Sequence, residues 1–352
     1  MAIIGRVSVA QCANGMMPME VKRSSNIELL RCVAMLLIVA WHWFIYTGTI
    51  EEAYAHPEQP VNWLRFALCG WGKTGINCFV LITGYFLWKH GKPFGRKILN
   101  LLLLVLGYSI LTYGVGCALG AITPSWRGVI GAVNPFACTR GTFVPNYLLL
   151  LVVAPFLNIL IAAMGRRRHL LLLITLVILC SVIPMGRVRI VSDTLAWFVT
   201  VYFVGAFLAK YPIRILDEKR NTIMLLLAVL VMAFASMVVG TMLTRSNELR
   251  LTYYLIFPET RPLSLAVALS LFLFFKNIDI PYSSVINRIG LSTFGIYLIS
   301  DGWLREWIWA ETAGLRGGGV ILVFMFCSIV EMVRHGVLER FIKHEKSICD
   351  RR

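Results

Sequence analysis

Long, uninterrupted apolar runs recur along this chain about ten times, each close to the length that crosses the hydrocarbon core of a bilayer as a helix. A water-soluble fold has nowhere to hide that much apolar surface. Hydrophobic residues make up 58% of the sequence and charged residues only 15%, with a mean hydropathy of +0.74; soluble domains carry about 25% charged residues. Lipid accepts such a chain, but it offers backbone N–H and C=O groups no water, so only helices or a closed barrel can span it. The runs are continuous and do not alternate, which selects helices. The expected architecture is all-α: a polytopic membrane helix bundle with spans near 27–47, 66–88, 98–120, 143–163, 170–186, 194–209, 221–243, 255–275, 285–301 and 318–338.

Charge sets the orientation. With the N-terminus in the cytoplasm, 22 of the 34 Lys and Arg residues fall in inner segments and 11 in outer ones, and the alternation holds along the chain. An odd number of spans would place the basic stretch from Arg334 to Arg352 outside, against that rule. Both termini are therefore expected in the cytoplasm of a multi-pass cell-membrane protein. The formal charge of +16 does not point to nucleic acid, because the basic residues are dispersed in short loops and form no continuous face. Nine cysteines include no CxxC pair and form no framework; most fall in or beside apolar runs, where they read as small packing residues.

The expected division is a cytoplasmic N-terminal segment 1–25, a transmembrane domain 26–342 and a basic cytoplasmic tail 343–352. Met19 to Arg23 reads as a natural start before the first span, with the preceding stretch an unstructured or untranslated extension. The longest connections, 48–65 and 121–142, are too short for a soluble domain. No internal repeat is visible, so the inverted-repeat plan of many transporters is not legible here.

Ionisable residues inside a span cost about 2.5–3.5 kcal/mol each on insertion scales, so they call for a reason. The first span, SSNIELLRCVAMLLIVAWHW, holds Glu28, Arg31 and His42. Arg31 and His42 are separated by three helical turns plus about 20°, so they leave one stripe of the helix about 16 Å apart. Glu28 lies three residues before Arg31 and can pair with it. Such a stripe suits a polar passage. The plainer reading has Arg31 snorkelling to the inner headgroups and His42 resting at the outer interface beside Trp41 and Trp43. Arg31 favours snorkelling; His42 stands between the two.

Tyr85, near the inner end of the second span, reads as an interfacial anchor or as a donor in a site, and Arg96 and Lys97 as inner-face charge or as a phosphate clamp. Asp301 with Arg305, and Glu259 with Arg261, read singly as solvated charge pairs at the outer face.

These residues resemble the acyltransferase-3 family of bacterial membrane O-acyltransferases. Its first helix carries an arginine, ten residues and a histidine, here Arg31 and His42, with an acid three before the arginine, here Glu28. CFVLITGYFL (78–87), KPFGRKIL (92–99), NYLLLLVVAPFLNIL (146–160) and INRIGLSTFGIYLIS (286–300) are similar to further family blocks, in matching order. The chain departs from the pattern at Leu99 and Asn100, where a second arginine is common, and at Ser300, where many relatives have histidine. The resemblance implies transfer of an acyl group, usually acetyl from acetyl-CoA, onto a hydroxyl of a cell-surface or lipid-linked glycan. His42 and Arg31 would be catalytic; Arg96, Lys97, Glu28 and Tyr85 would serve the acyl-CoA. No permanently bound cofactor, metal or nucleic acid is implied; acyl-CoA, the glycan acceptor and membrane lipid are the expected partners. A transporter of glycan precursors or anionic solutes, and a membrane sensor or assembly subunit, are the competing classes.

Overall fold

A computed structural model of the chain describes residues 24–56, 58–89, 95–136, 141–185, 194–243, 258–315 and 317–349. The described residues are predominantly helical, with no strand among them. Residues 1–23, and with them most of the expected N-terminal segment, lie outside the described residues.

The first helix, α1 (Ser25–Tyr46), occupies the position expected of the first span. A short outer helix, α2 (Thr49–Ala55), follows, then α3 (Pro60–Gly72) and α4 (Thr74–Leu87). The second span was expected to begin near residue 66. It begins instead at Pro60, whose missing N–H and fixed φ suit the first helical turn, and the helix is interrupted at Lys73. The 48–65 connection is thus largely helical. Next come α5 (Gly95–Ala118), a short outer helix α6 (Trp126–Ala132), and α7 (Phe143–Ala163).

The fifth span is composite. α8 (Arg166–Val177) widens into a π turn over Ile178–Val182 before α9 (Ile183–Met185). Pro184 has no N–H to return to the carbonyl four residues back, which accounts for the widening. The chain continues through α10 (Thr194–Lys210) and α11 (Lys219–Leu243). The eighth span, expected from 255, forms α12 only from Pro262 to Asn277, again with proline in the first turn; 251–257 lie outside the described residues. α13 (Ser284–Ser300), α14 (Arg305–Thr312) and α15 (Gly318–Cys349) complete the bundle, and α15 passes the expected boundary at 342 without a break.

Among the described residues, seven helical runs are long and apolar enough to cross a membrane. The other expected spans form α10, α12 and α13, of 17, 16 and 17 residues. The chain is a multi-pass membrane protein, and its architecture is the expected all-α bundle.

α1 runs through the middle of this bundle. It packs against α3, α4, α12, α13 and α15, and all but a narrow strip of it is covered by protein. Its start is tied down by Ser25 Oγ, which accepts from Ser283 N at 2.9 Å, and by Asn26 Nδ2, which donates to the Ile278 carbonyl at 3.2 Å. Close approach elsewhere depends on glycine. Gly84 of α4 rests on the Tyr202 backbone of α10, and Gly205 of α10 on the Leu81 carbonyl of α4, so a Cβ at either position would collide with backbone. Apolar side chains gain nothing by moving from lipid to protein, so backbone contact of this kind, with buried hydrogen bonds, holds membrane helices together. Asn158 of α7 supplies two such bonds. It donates to the Leu87 carbonyl at 3.0 Å and accepts from the Tyr202 hydroxyl at 2.6 Å, joining α4, α7 and α10.

Candidate active site

Both ionisable residues of the α1 stripe turn inward. Arg31 is 1% exposed and His42 4%. Arg31 therefore does not snorkel, contrary to the commoner expectation for its position. Its side chain is enclosed by protein, and Glu28 replaces the lost water. The guanidinium lies 3.2 Å from Glu28 Oε1 on the preceding turn. Glu28 in turn rests on Gly290 of α13, where a Cβ would meet the carboxylate. The inner end of the stripe is thus a closed ion pair packed against backbone.

The outer end is arranged differently. α13 ends at Ser300, and Asp301 closes it, donating its backbone N–H to the Tyr297 carbonyl at 2.9 Å. This places the Asp301 side chain, 1% exposed, beside His42. Asp301 Oδ1 lies 3.9 Å from His42 Nε2 and accepts from the Arg305 guanidinium at 3.1 Å. Its Oδ2 accepts from the Tyr297 hydroxyl at 2.8 Å. Arg305 also donates to the Tyr46 hydroxyl at 2.9 Å and stacks 4.3 Å from that ring's centroid. Asp301 and Arg305 do pair at i,i+4 as their spacing implies, but inside the bundle and facing the imidazole, not as a solvated pair. A carboxylate so held places a fixed negative charge 3.9 Å from the imidazole, where it can offset positive charge that develops there.

His42 Nδ1 has no hydrogen-bond partner. His42, Tyr46, Tyr297 and Asp301 line a cavity of about 110 Å³ that is open on one side. Gly141 lies against the Asp301 carboxylate and the Tyr297 hydroxyl, at 2.6 and 2.7 Å from where its Cβ would stand, so any larger residue would crowd the acid. A cavity of this size takes a hydroxyl and a small acyl group. Whole cofactor-sized ligands occupy about 300–1,000 Å³.

Between the two ends of the stripe the interior is apolar and aromatic. Phe143 stacks on Tyr147 with centroids 5.5 Å apart and meets Tyr297 at 5.1 Å, and Tyr147 hydrogen-bonds to Thr83 at 3.0 Å. Met35 and Ile38 of α1, both nearly fully buried, fill the same level.

The remaining sequence-derived candidates are not brought to this cavity. Tyr85 packs its ring 5.1 Å from Phe272 of α12. Lys97 is exposed on the first turn of α5. The Arg96 side chain lies outside the described residues. Sequence reasoning missed a second buried ionic cluster: Glu331 of α15, 1% exposed, is hydrogen-bonded by the Tyr108 hydroxyl of α5 and held by Arg334 at 2.6 and 2.8 Å. A lone acid in an otherwise apolar run was the available signal. The cluster does not line the cavity.

The sequence model of one protein family, described as an acyltransferase domain, matches residues 24–330. The match takes in α1, the whole cavity wall and α13. No curated protein and no solved structure matches the chain.

Proposed function

The chain belongs to the acyltransferase-3 family and is a membrane acyltransferase, and from that premise we propose that it moves an acyl group, acetyl in the first instance, from acyl-CoA to a hydroxyl of a cell-surface or lipid-linked glycan. The observation that carries this reading is that one helix turns His42 and Arg31 into the bundle, His42 onto an open cavity.

A sugar hydroxyl is a poor nucleophile at neutral pH and needs a base, and imidazole titrates nearest that range. His42 takes the proton as the hydroxyl oxygen bonds to the acyl carbonyl carbon. The carbon–sulfur bond then breaks, and the proton passes to the departing CoA sulfur. In a two-step version His42 itself carries the acyl group between donor and acceptor. Asp301 supports either version by steadying the imidazolium, and Tyr297 and Arg305 hold Asp301 in place.

Arg31, oriented by Glu28, with Arg96 and Lys97 on the cytoplasmic side, serves the phosphates of acyl-CoA or the developing negative charge. Tyr85 belongs to the same donor-side set. With the N-terminus inside, the donor is cytoplasmic while the cavity lies towards the outer face, so the acyl group travels along the α1 stripe. The bacterial cytoplasmic membrane is the setting this implies.

Membranes supplied with labelled acetyl-CoA test the reading. His42→Ala is expected to abolish base-labile label on glycans without lowering the amount of protein in the membrane. Label retained by that variant would remove the histidine from the mechanism.

A further inference from the structure

The cavity has a second wall, which the acyl-transfer chemistry does not use. It is formed by Trp41 of α1, by Lys73 at the break between α3 and α4, and by Glu259 just before α12. Lys73 Nζ lies 3.2 Å from Glu259 Oε2 and 5.0 Å from the centre of the Trp41 ring. Both members of the pair keep part of their surface open, 23% for Lys73 and 13% for Glu259. A pair that served only to clamp helices would have no need of that opening.

The wall is built to hold its shape. Gly72 brings the helix backbone against the Trp41 Cβ and the Leu37 carbonyl, with no room for a side chain, and so sets Lys73 over the indole. Glu259 is positioned through its own backbone: its carbonyl accepts from Asn77 Nδ2 at 2.8 Å, while Asn77 Oδ1 accepts from Trp197 Nε1 at 2.9 Å. Four helices, α1, α3, α4 and α10, thus cooperate to present one carboxylate and one ammonium beside an aromatic ring, and the Trp41 indole N–H has no hydrogen-bond partner.

We propose that Trp41, Lys73 and Glu259 form the acceptor subsite, and that it selects an uncharged sugar over an acidic one. This rests on the acyltransferase reading of the His42 wall. The indole offers a flat apolar face to the C–H side of a sugar ring. The partly exposed ion pair offers a strong donor and a strong acceptor to adjacent hydroxyls. Selectivity follows from charge. Among the described residues the formal charges at the cavity come in opposed pairs, Lys73 with Glu259 and Arg305 with Asp301, so a neutral ring at its open side leaves no charge unpaired. A uronate or phosphorylated sugar would meet two carboxylates whose cations are already engaged, and such like-charge approach is what excludes wrong partners.

The experiment is a competition within one membrane preparation. Labelled acetyl-CoA is supplied with neutral 4-nitrophenyl hexosides and the matching 4-nitrophenyl uronides, and the ratio of acetyl on uronide to acetyl on hexoside is measured. A ratio does not depend on how much of a variant folds. Wild type is expected to favour the hexosides. Glu259→Gln releases Lys73 to pair with a uronate and should raise the ratio about tenfold, the equivalent of one moderate charge contact; Lys73→Met should lower it. Ratios unchanged in both variants would make the pair a helix clamp and overturn the proposal. A wild-type preference for uronides would overturn it too, as would failure to label either glycoside while the membranes' own glycans are labelled. Absence of label on every glycan would instead sink the acyltransfer reading itself.

Discussion

The two ends of the α1 stripe carry similar chemistry and are finished in opposite ways. At the inner end Arg31 and Glu28 pair one turn apart, and α13 presses a glycine onto the carboxylate. At the outer end the imidazole of His42 stands near a carboxylate that already has two other donors, and it opens onto a cavity. A buried charge closed by its own partner is held in a fixed place and direction. A buried polar group with an unpartnered nitrogen and space beside it is available for reaction. On the proposed reading, the contrast puts the transfer chemistry at the outer end and donor-side binding at the inner end.

Four substitutions break or sharpen that contrast. His42→Ala should lower acyl transfer by at least about 100-fold, the lower range of general-base contributions, with membrane abundance unchanged on immunoblot. Glu28→Ala should lower transfer and, unlike His42→Ala, stability as well. It leaves a buried guanidinium alone and should cost about 3–5 kcal/mol of stability, read as a lowered Tm in detergent; replacing Glu28 and Arg31 together by Met should restore much of that stability without restoring activity. If Glu28→Ala leaves Tm unchanged, the inner end is not the closed pair described. Asp301→Asn removes the negative charge that stands 3.9 Å from His42, an electrostatic loss on the order of 1.5–3 kcal/mol, so the rate should fall about ten- to a hundredfold while the KM for acyl-CoA holds. A change confined to KM would place Asp301 in donor binding. Tyr46→Phe removes one bond to Arg305, worth about 0.5–1.5 kcal/mol, and should slow transfer by no more than about tenfold.

Much of the fold was legible because lipid imposes it. The expected spans appear as helices, and the discrepancies have local causes. The second span starts early at Pro60 and the eighth late at Pro262, each where proline fits a first helical turn. The break at Lys73 was not legible, because it answers to the close approach of Gly72 to Trp41, a contact with another helix. The Arg31–His42 stripe was legible as a stripe, but the direction it faces was not. α1 is apolar almost all round, and lipid and protein interior are alike to an apolar side chain, so hydrophobicity gives no bearing.

By itself, the sequence determined the solvent of this protein, its helical class and the alignment of Arg31 with His42. Each follows from short-range rules: backbone groups must be satisfied within a segment, and a helix repeats every 3.6 residues. Only the tertiary structure decided that Asp301 would stand beside His42, with Lys73 and Glu259 lining the same cavity. Those residues come from helices far apart in the chain, and no local periodicity relates them. They meet because glycine contacts and buried hydrogen bonds set how the helices pack.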